Sequence, residues 1–142
     1  MSLEKILAAI PHRPPFLFLD EIVEQSADRI VCRKTFSPDE AFYQGHYPQF
    51  PLTPGVLLCE AALQAGAVLL AQQAGDAEAF PVATRMNDVK FKRIVKPGET
   101  VTIEVSVSER LADAFFMTGK VTVEGKLAAR LDFACAMTKS PS

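Results

Sequence analysis

Pro54-Gly55-Val56-Leu57-Leu58-Cys59-Glu60-Ala61-Ala62-Leu63-Gln64-Ala65-Gly66-Ala67-Val68-Leu69-Leu70-Ala71 is the stretch that decides the fold. It reads as one helix over roughly 55–73, opened by Pro54 and stopped near Gly75. Apolar residues fall on nearly every face, so the helix should be buried rather than amphipathic. A single carboxylate, Glu60, stands inside it, with Gln64 at i+4 on the same face. Burying an ionised carboxylate without a partner is costly, so a chain that keeps one needs a chemical reason.

Working outward, residues 2–10 read as a short amphipathic helix ended by Pro11. Pro11, Pro14 and Pro15 then force an extended passage into Phe16-Leu17-Phe18-Leu19. Residues 16–24 and 29–36 read as strands joined by a turn at Ser26-Ala27-Asp28. Residues 37–54 hold four prolines and one glycine and read as an irregular loop. After the long helix the period changes from helical to alternating. Val101, Ile103, Val105 and Val107 face one way, and Thr102, Glu104 and Ser106 the other. Phe115, Met117, Val121 and Val123 repeat this, as do Leu127, Ala129, Leu131, Phe133, Cys135 and Met137. With a strand near 84–94, the pattern predicts five or six mostly antiparallel strands and one long helix. A helix apolar all round needs cover on every side, from a strongly curved sheet or from a partner subunit. An α+β fold with the helix on the concave face follows.

Composition narrows the function. The 142 residues suit one domain spanning 1–142, without repeats or linkers. A net charge of −2 argues against nucleic-acid binding. Two histidines and three scattered cysteines argue against a metal cage. Cys32, Cys59 and Cys135 each fall in an apolar pattern and read as reduced core residues of a cytoplasmic protein. The N-terminus carries no visible export signal. The 55–71 run is short for a membrane span, holds Glu60 and Gln64, and has no basic flank, so no membrane insertion is expected.

The chemistry centres on Glu60 and on His46, which lies in the loop leading into the helix. The first N–H groups of a helix lack intrahelical partners, so the segment at Gly55 can hold an anionic oxygen. Glu60 follows about 7 Å along the axis, and Gln64 can orient it. Imidazole is the commonest general base, and a carboxyl in an apolar wall can serve as an acid. These parts suit proton abstraction beside a carbonyl and protonation of a leaving hydroxyl. Blander readings exist for each. Glu60 can instead pair structurally with Arg13 or Arg85. His12 reads as a solvated loop residue, and Cys59 as a small core residue rather than a nucleophile.

Residues 41–66, from Ala41-Phe42-Tyr43-Gln44-Gly45-His46-Tyr47-Pro48 through Pro54-Gly55 to Glu60 and Gln64, resemble the signature of the 3-hydroxyacyl-[acyl-carrier-protein] dehydratases. The likeness extends to Ile10-Pro11-His12-Arg13-Pro14-Pro15-Phe16-Leu17-Phe18-Leu19-Asp20, and to Val89-Lys90-Phe91-Lys92-Arg93-Ile94-Val95-Lys96-Pro97-Gly98. The resemblance implies a hotdog fold, a long helix wrapped by an antiparallel sheet. It also implies a homodimer, or a trimer of dimers, with active sites at the subunit interface. His46 then matches the catalytic histidine and Glu60 the catalytic glutamate, supplied by different subunits, and Gly55 the glycine that polarises the thioester carbonyl. The implied reaction dehydrates a (3R)-3-hydroxyacyl thioester to the trans-2-enoyl thioester without a cofactor. The implied partner is an acidic acyl carrier protein, and Lys90, Lys92, Arg93 and Lys96 form a cluster that can receive it. The same cluster can also be a solvated strand edge blunted by lysines. Two positions depart from the family pattern: Gln49 stands for the usual glycine and Thr53 for the usual methionine. A thioesterase on the same fold and a non-catalytic acyl-binding subunit are the rival readings.

Overall fold

The computed structural model describes residues 2–71 and 79–139. Helix α1 spans Ser2–Ala9, and Ile6 anchors it in the core. Strands β1 (Glu21–Gln25) and β2 (Arg29–Thr35) form a hairpin around the Ser26 turn. A one-turn helix, α2 (Phe42–Gly45), interrupts the loop that the sequence suggested was wholly irregular. Helix α3 runs from Gly55 to Ala71, and the stop expected near Gly75 lies outside the described residues. Four long strands follow: β3 (Ala79–Phe91), β4 (Thr100–Leu111), β5 (Ala114–Val123) and β6 (Lys126–Lys139). Gly98 and Gly125 take positive φ in the turns before β4 and β6, where a side chain would be strained.

All six strands form one antiparallel sheet in the order β1-β2-β4-β5-β6-β3. Helix α3 packs against β2, β3, β4, β5 and β6. Contact with five of six strands is possible only if the sheet curls around the helix, which makes the architecture an α+β hotdog fold. The alternating strand residues fill the interior. Val101, Ile103 and Val105 of β4 and Ala129 and Leu131 of β6 are all inaccessible to water. They meet Ala61, Ala62, Ala65 and Leu69 from α3. Small residues at this contact let helix and sheet approach closely. A methyl group built on Gly119 of β5 would come within 3.0 Å of Ala62 Cβ.

Two strand limits differ from the sequence reading, each for a physical reason. Residues 16–19 are not part of β1. Phe18 gives its N–H to the side chain of Gln64, so it is withheld from a strand ladder. The strand expected near 84–94 starts earlier, at Ala79, and passes through Pro81. An edge strand tolerates proline because one row of its N–H groups has no ladder to serve.

The cover on α3 is incomplete. Val56, Glu60, Leu63 and Ala71 follow one stripe of the helix and keep some exposure, with Val56 70% exposed. Glu60 therefore sits on the one face that its own sheet leaves open.

Candidate active site

Glu60 leaves α3 toward a cavity of about 170 Å³ between α3, β3 and β6. Its side chain retains 21% of its exposure. The polar neighbour that sets its direction is Gln64, one turn on and only 1% exposed. Gln64 Oε1 accepts the Phe18 N–H at 2.8 Å, so a backbone donor dictates which way the amide faces. Its Nε2 then donates to the Phe16 carbonyl at 2.9 Å and to Glu60 Oε2 at 3.0 Å. Every hydrogen-bonding group of this buried amide is engaged, and the carboxylate is held from one side. The wall is therefore less apolar than the helix sequence suggests.

His12 corrects the sequence reading. It is not a solvated loop residue but lines the same cavity, with Nε2 3.6 Å from Glu60 Oε2. Its ring stacks on Phe16 with centroids 6.4 Å apart. Arg13 and Arg85 do not supply the structural pairing weighed above. Arg13 donates to the carbonyls of Leu7, Ile10 and His12, closing the end of α1. Arg85 stands on the exposed stretch of β3. The signal that could have found His12 is the proline bracket Pro11…Pro14-Pro15, which marks a rigid extended segment. Sequence alone does not say which element that segment crosses.

Gly55 opens α3 on a second, larger cavity of about 620 Å³, lined also by Val56, Phe91, Lys92 and Arg93. The Phe91 ring lies so close to Gly55 that a Cβ there would come within 2.7 Å of it. A side chain at this position would push the half-exposed Phe91 ring away from the helix start. Lys92 and Arg93 stand at the rim, exposed, while Lys90 lies 3.8 Å from Asp88 and Lys96 is exposed one turn beyond. His46 terminates α2 in extended backbone (φ −127°, ψ 100°), with its ring edge-on to Tyr47 at 4.9 Å. Within one chain, then, Glu60, Gln64 and His12 come together, Gly55 lies on the neighbouring groove, and His46 lines neither cavity.

Burial raises the Cys59 thiol, which suits a core residue rather than a nucleophile. Among the described residues no group of His, Cys, Asp or Glu side chains is placed to hold a metal ion. No helix of these residues is long and apolar enough to cross a membrane. Thr53 is buried and shares a 2.6 Å hydrogen bond with Tyr43 Oη, so this departure from the family pattern braces the loop ahead of α3. Gln49 is exposed in the His46 loop.

A curled antiparallel sheet wrapped around a long helix places the chain among hotdog-fold proteins, with the helix presenting a held carboxylate to a cavity. Residues 10–132 match the family model of the FabA-like domain. A 3-hydroxyacyl-[acyl-carrier-protein] dehydratase FabZ of Petrotoga mobilis is 33% identical over 140 residues, covering 99% of this chain and all of the relative. One from Staphylococcus carnosus is 37% identical over 134 residues, 94% of this chain and 92% of the relative. Among solved structures, the dehydratase heterocomplex ApeI:P from Xenorhabdus doucetiae aligns with a TM-score of 0.78. Its identity is 15%, over 99% of this chain and 93% of that one, a likeness of fold alone. The chain belongs to the 3-hydroxyacyl-[acyl-carrier-protein] dehydratase family and is an enzyme of the hydro-lyase class.

Proposed function

We propose that this chain converts (3R)-3-hydroxyacyl-[acyl-carrier-protein] thioesters to trans-2-enoyl thioesters in fatty-acid or related acyl biosynthesis, with His46 as base and Glu60 as acid. The observation that carries the reading is the Glu60 carboxylate, held by Gln64 at the edge of a cavity on the open face of α3. The thioester already acidifies C2, so the chemistry asks for no cofactor. His46 takes the C2 proton, and the C–H electrons form the C2–C3 double bond. The C3–O bond breaks as Glu60 gives its proton to the departing hydroxyl, releasing water. The Gly55 N–H, at the positive end of α3, holds the thioester oxygen as it gains charge. Transfer of one proton from His46 back to Glu60 resets the site.

The working unit in this reading is a pair of chains. Two features support it. The open stripe of α3 carries Glu60, and the edge strand β3 exposes Phe80, Val82 and Met86 beside it. A second copy that covers both would bring its own His46 loop to Glu60. Lys92 and Arg93, at the mouth of the groove that ends at Gly55, would receive an acidic carrier while its thioester arm enters. Buried, unpaired Cys32, Cys59 and Cys135 agree with work in the reducing cytoplasm.

The test is enoyl formation from carrier-linked 3-hydroxyacyl substrates. His46→Ala and Glu60→Gln should each lower kcat by about 10²–10⁴-fold. The double charge reversal Lys92→Glu/Arg93→Glu should raise KM for the carrier-linked substrate and leave a short soluble thioester unaffected. Enoyl product that survives both His46→Ala and Glu60→Gln removes the assignment. Release of free thiol without enoyl product would replace it with a thioesterase.

A further inference from the structure

We propose that His12 is a positioning residue for Glu60, one that fixes which carboxyl oxygen carries the transferred proton. The inference rests on the dehydratase reading and goes beyond it, since neither the resemblance nor the comparisons assign His12 a role.

The Phe18 N–H fixes the Gln64 amide, so Glu60 Oε2 faces an N–H donor and must accept. A neutral Glu60 therefore places its proton on Oε1. His12 Nε2 approaches the same Oε2, at 3.6 Å. Its other nitrogen, Nδ1, is buried and has no hydrogen-bond partner among the described residues. A hydrogen on Nδ1 would be a buried, unpaired donor, which is costly. A hydrogen on Nε2 points at Glu60. The tautomer with Nε2–H is thus favoured, and Oε2 has the Gln64 hydrogen bond at 3.0 Å and the His12 N–H nearby at 3.6 Å, beyond hydrogen-bond length, while Oε1 faces neither side chain. The proton is kept on the oxygen that is not engaged. When Oε1 releases it, the new charge on the carboxylate is met by His12 and Gln64 without rearrangement.

The ring is held for this task from outside the pair. Phe16 stacks on it, and Pro11 and the Pro14-Pro15 step restrict the backbone on either side. Arg13 ties the same segment to α1 through the carbonyls of Leu7 and Ile10. The proline and Arg13 contacts are made without the imidazole, and only the Phe16 stacking is lost with it, so replacing His12 should spare the fold. The ring is also 29% exposed, which leaves its site open to a small molecule from solvent.

The experiment compares wild type with His12→Ala, His12→Phe and His12→Gln in the same enoyl assay, with melting temperature and chain association as folding controls. His12→Ala and His12→Phe should lose about 10–100-fold in kcat, the scale of misplacing a catalytic group, with KM changed far less. His12→Gln, which keeps an N–H donor, should recover part of the loss. Free imidazole added to His12→Ala should restore activity in a saturable way, and it should not help His12→Phe, where the ring site is filled. Folded His12→Ala and His12→Phe with wild-type kcat would overturn the proposal. So would a loss that neither His12→Gln nor imidazole repairs, because His12 would then be packing alone. A wild type that forms no enoyl product would strike the dehydratase reading itself, and that outcome is separate from any comparison among the variants.

Discussion

Thr53 shows how a single residue braces the loop that leads from His46 into α3. Its hydroxyl is the polar partner of the buried Tyr43 phenol, at 2.6 Å, in the loop between His46 and Gly55. Thr53→Val keeps the shape and strands the phenol, which should cost about 1–3 kcal/mol in urea unfolding. Adding Tyr43→Phe removes the orphaned group and should recover most of that loss; a single variant as stable as wild type would contradict the argument. Cys32 gives a second residue-scale effect, this one dependent on pH. Burial pushes its thiol from 9.0 up to about 12. The unfolded chain releases this proton near the ordinary value while the folded chain keeps it. Between those two values the folded state binds more protons, so stability falls as pH rises. The contribution is complete below the ordinary thiol value. Cys32→Ala should therefore flatten the stability-versus-pH slope in that window, whatever it does to the absolute level. An unchanged slope in paired denaturation curves would refute this. Single residues also mark what sequence can reveal. Glu60 was legible because a charge inside an apolar helix is conspicuous by itself. His12 was not, because its meaning depends on which helix its proline-bracketed segment crosses.

Among the elements, β3 does more than close the sheet. Its pairing with β6 is shifted between Asn87 and Lys90, and Asp88 at the irregularity takes φ 54°. Arg130 of β6 holds it there, donating to the Asp88 carbonyl at 3.1 Å and to its carboxylate at 2.8 Å. The bulge sets the aim of the residues that follow, Phe91 against Gly55 and Lys92 and Arg93 at the groove mouth. Asp tolerates positive φ better than alanine does. Asp88→Ala should then cost about 1–2 kcal/mol, from left-handed backbone strain plus an exposed ion pair, and Asp88→Asn less than half of that. If the bulge aims the groove, Asp88→Ala should also raise KM for carrier-linked substrate at nearly constant kcat. Equal stability and KM for the two variants would show that the bulge is passive. The strands β4, β5 and β6 were legible from alternation because one face is buried and the other wet. The limits of β1 and β3 were not, since both are edge strands where side-chain capture and proline tolerance outweigh period. Neither the bulge at Asp88 nor the helix α2 leaves a periodic trace.

For the whole molecule, the decisive fact is that one chain leaves the stripe of α3 that carries Glu60 uncovered. The helix sequence demanded cover on every side, and the sheet together with α1 supplies most of it, leaving the stripe of Val56, Glu60, Leu63 and Ala71 partly exposed. The sequence could state that demand but could not apportion it between sheet and partner, because both satisfy the same apolar surface. If the partner chain provides the missing cover together with His46, then catalysis and association are one property. A mixing experiment isolates this. His46→Ala and Glu60→Gln chains are each expected to be nearly inactive alone. Dissociated together and allowed to reassociate, half of the pairs at random are mixed, and each mixed pair holds one site with both groups intact. About a quarter of wild-type activity should return, by the symmetry of a two-chain unit with two sites. If His46 and Glu60 act within one chain, a mixed pair has no intact site and no activity returns. Light scattering on the same mixture must show pairs, so that a null result reports on the site rather than on failed association. Dilution should then lower specific activity and melting temperature in step, because a chain that separates loses both its base and the cover on its helix.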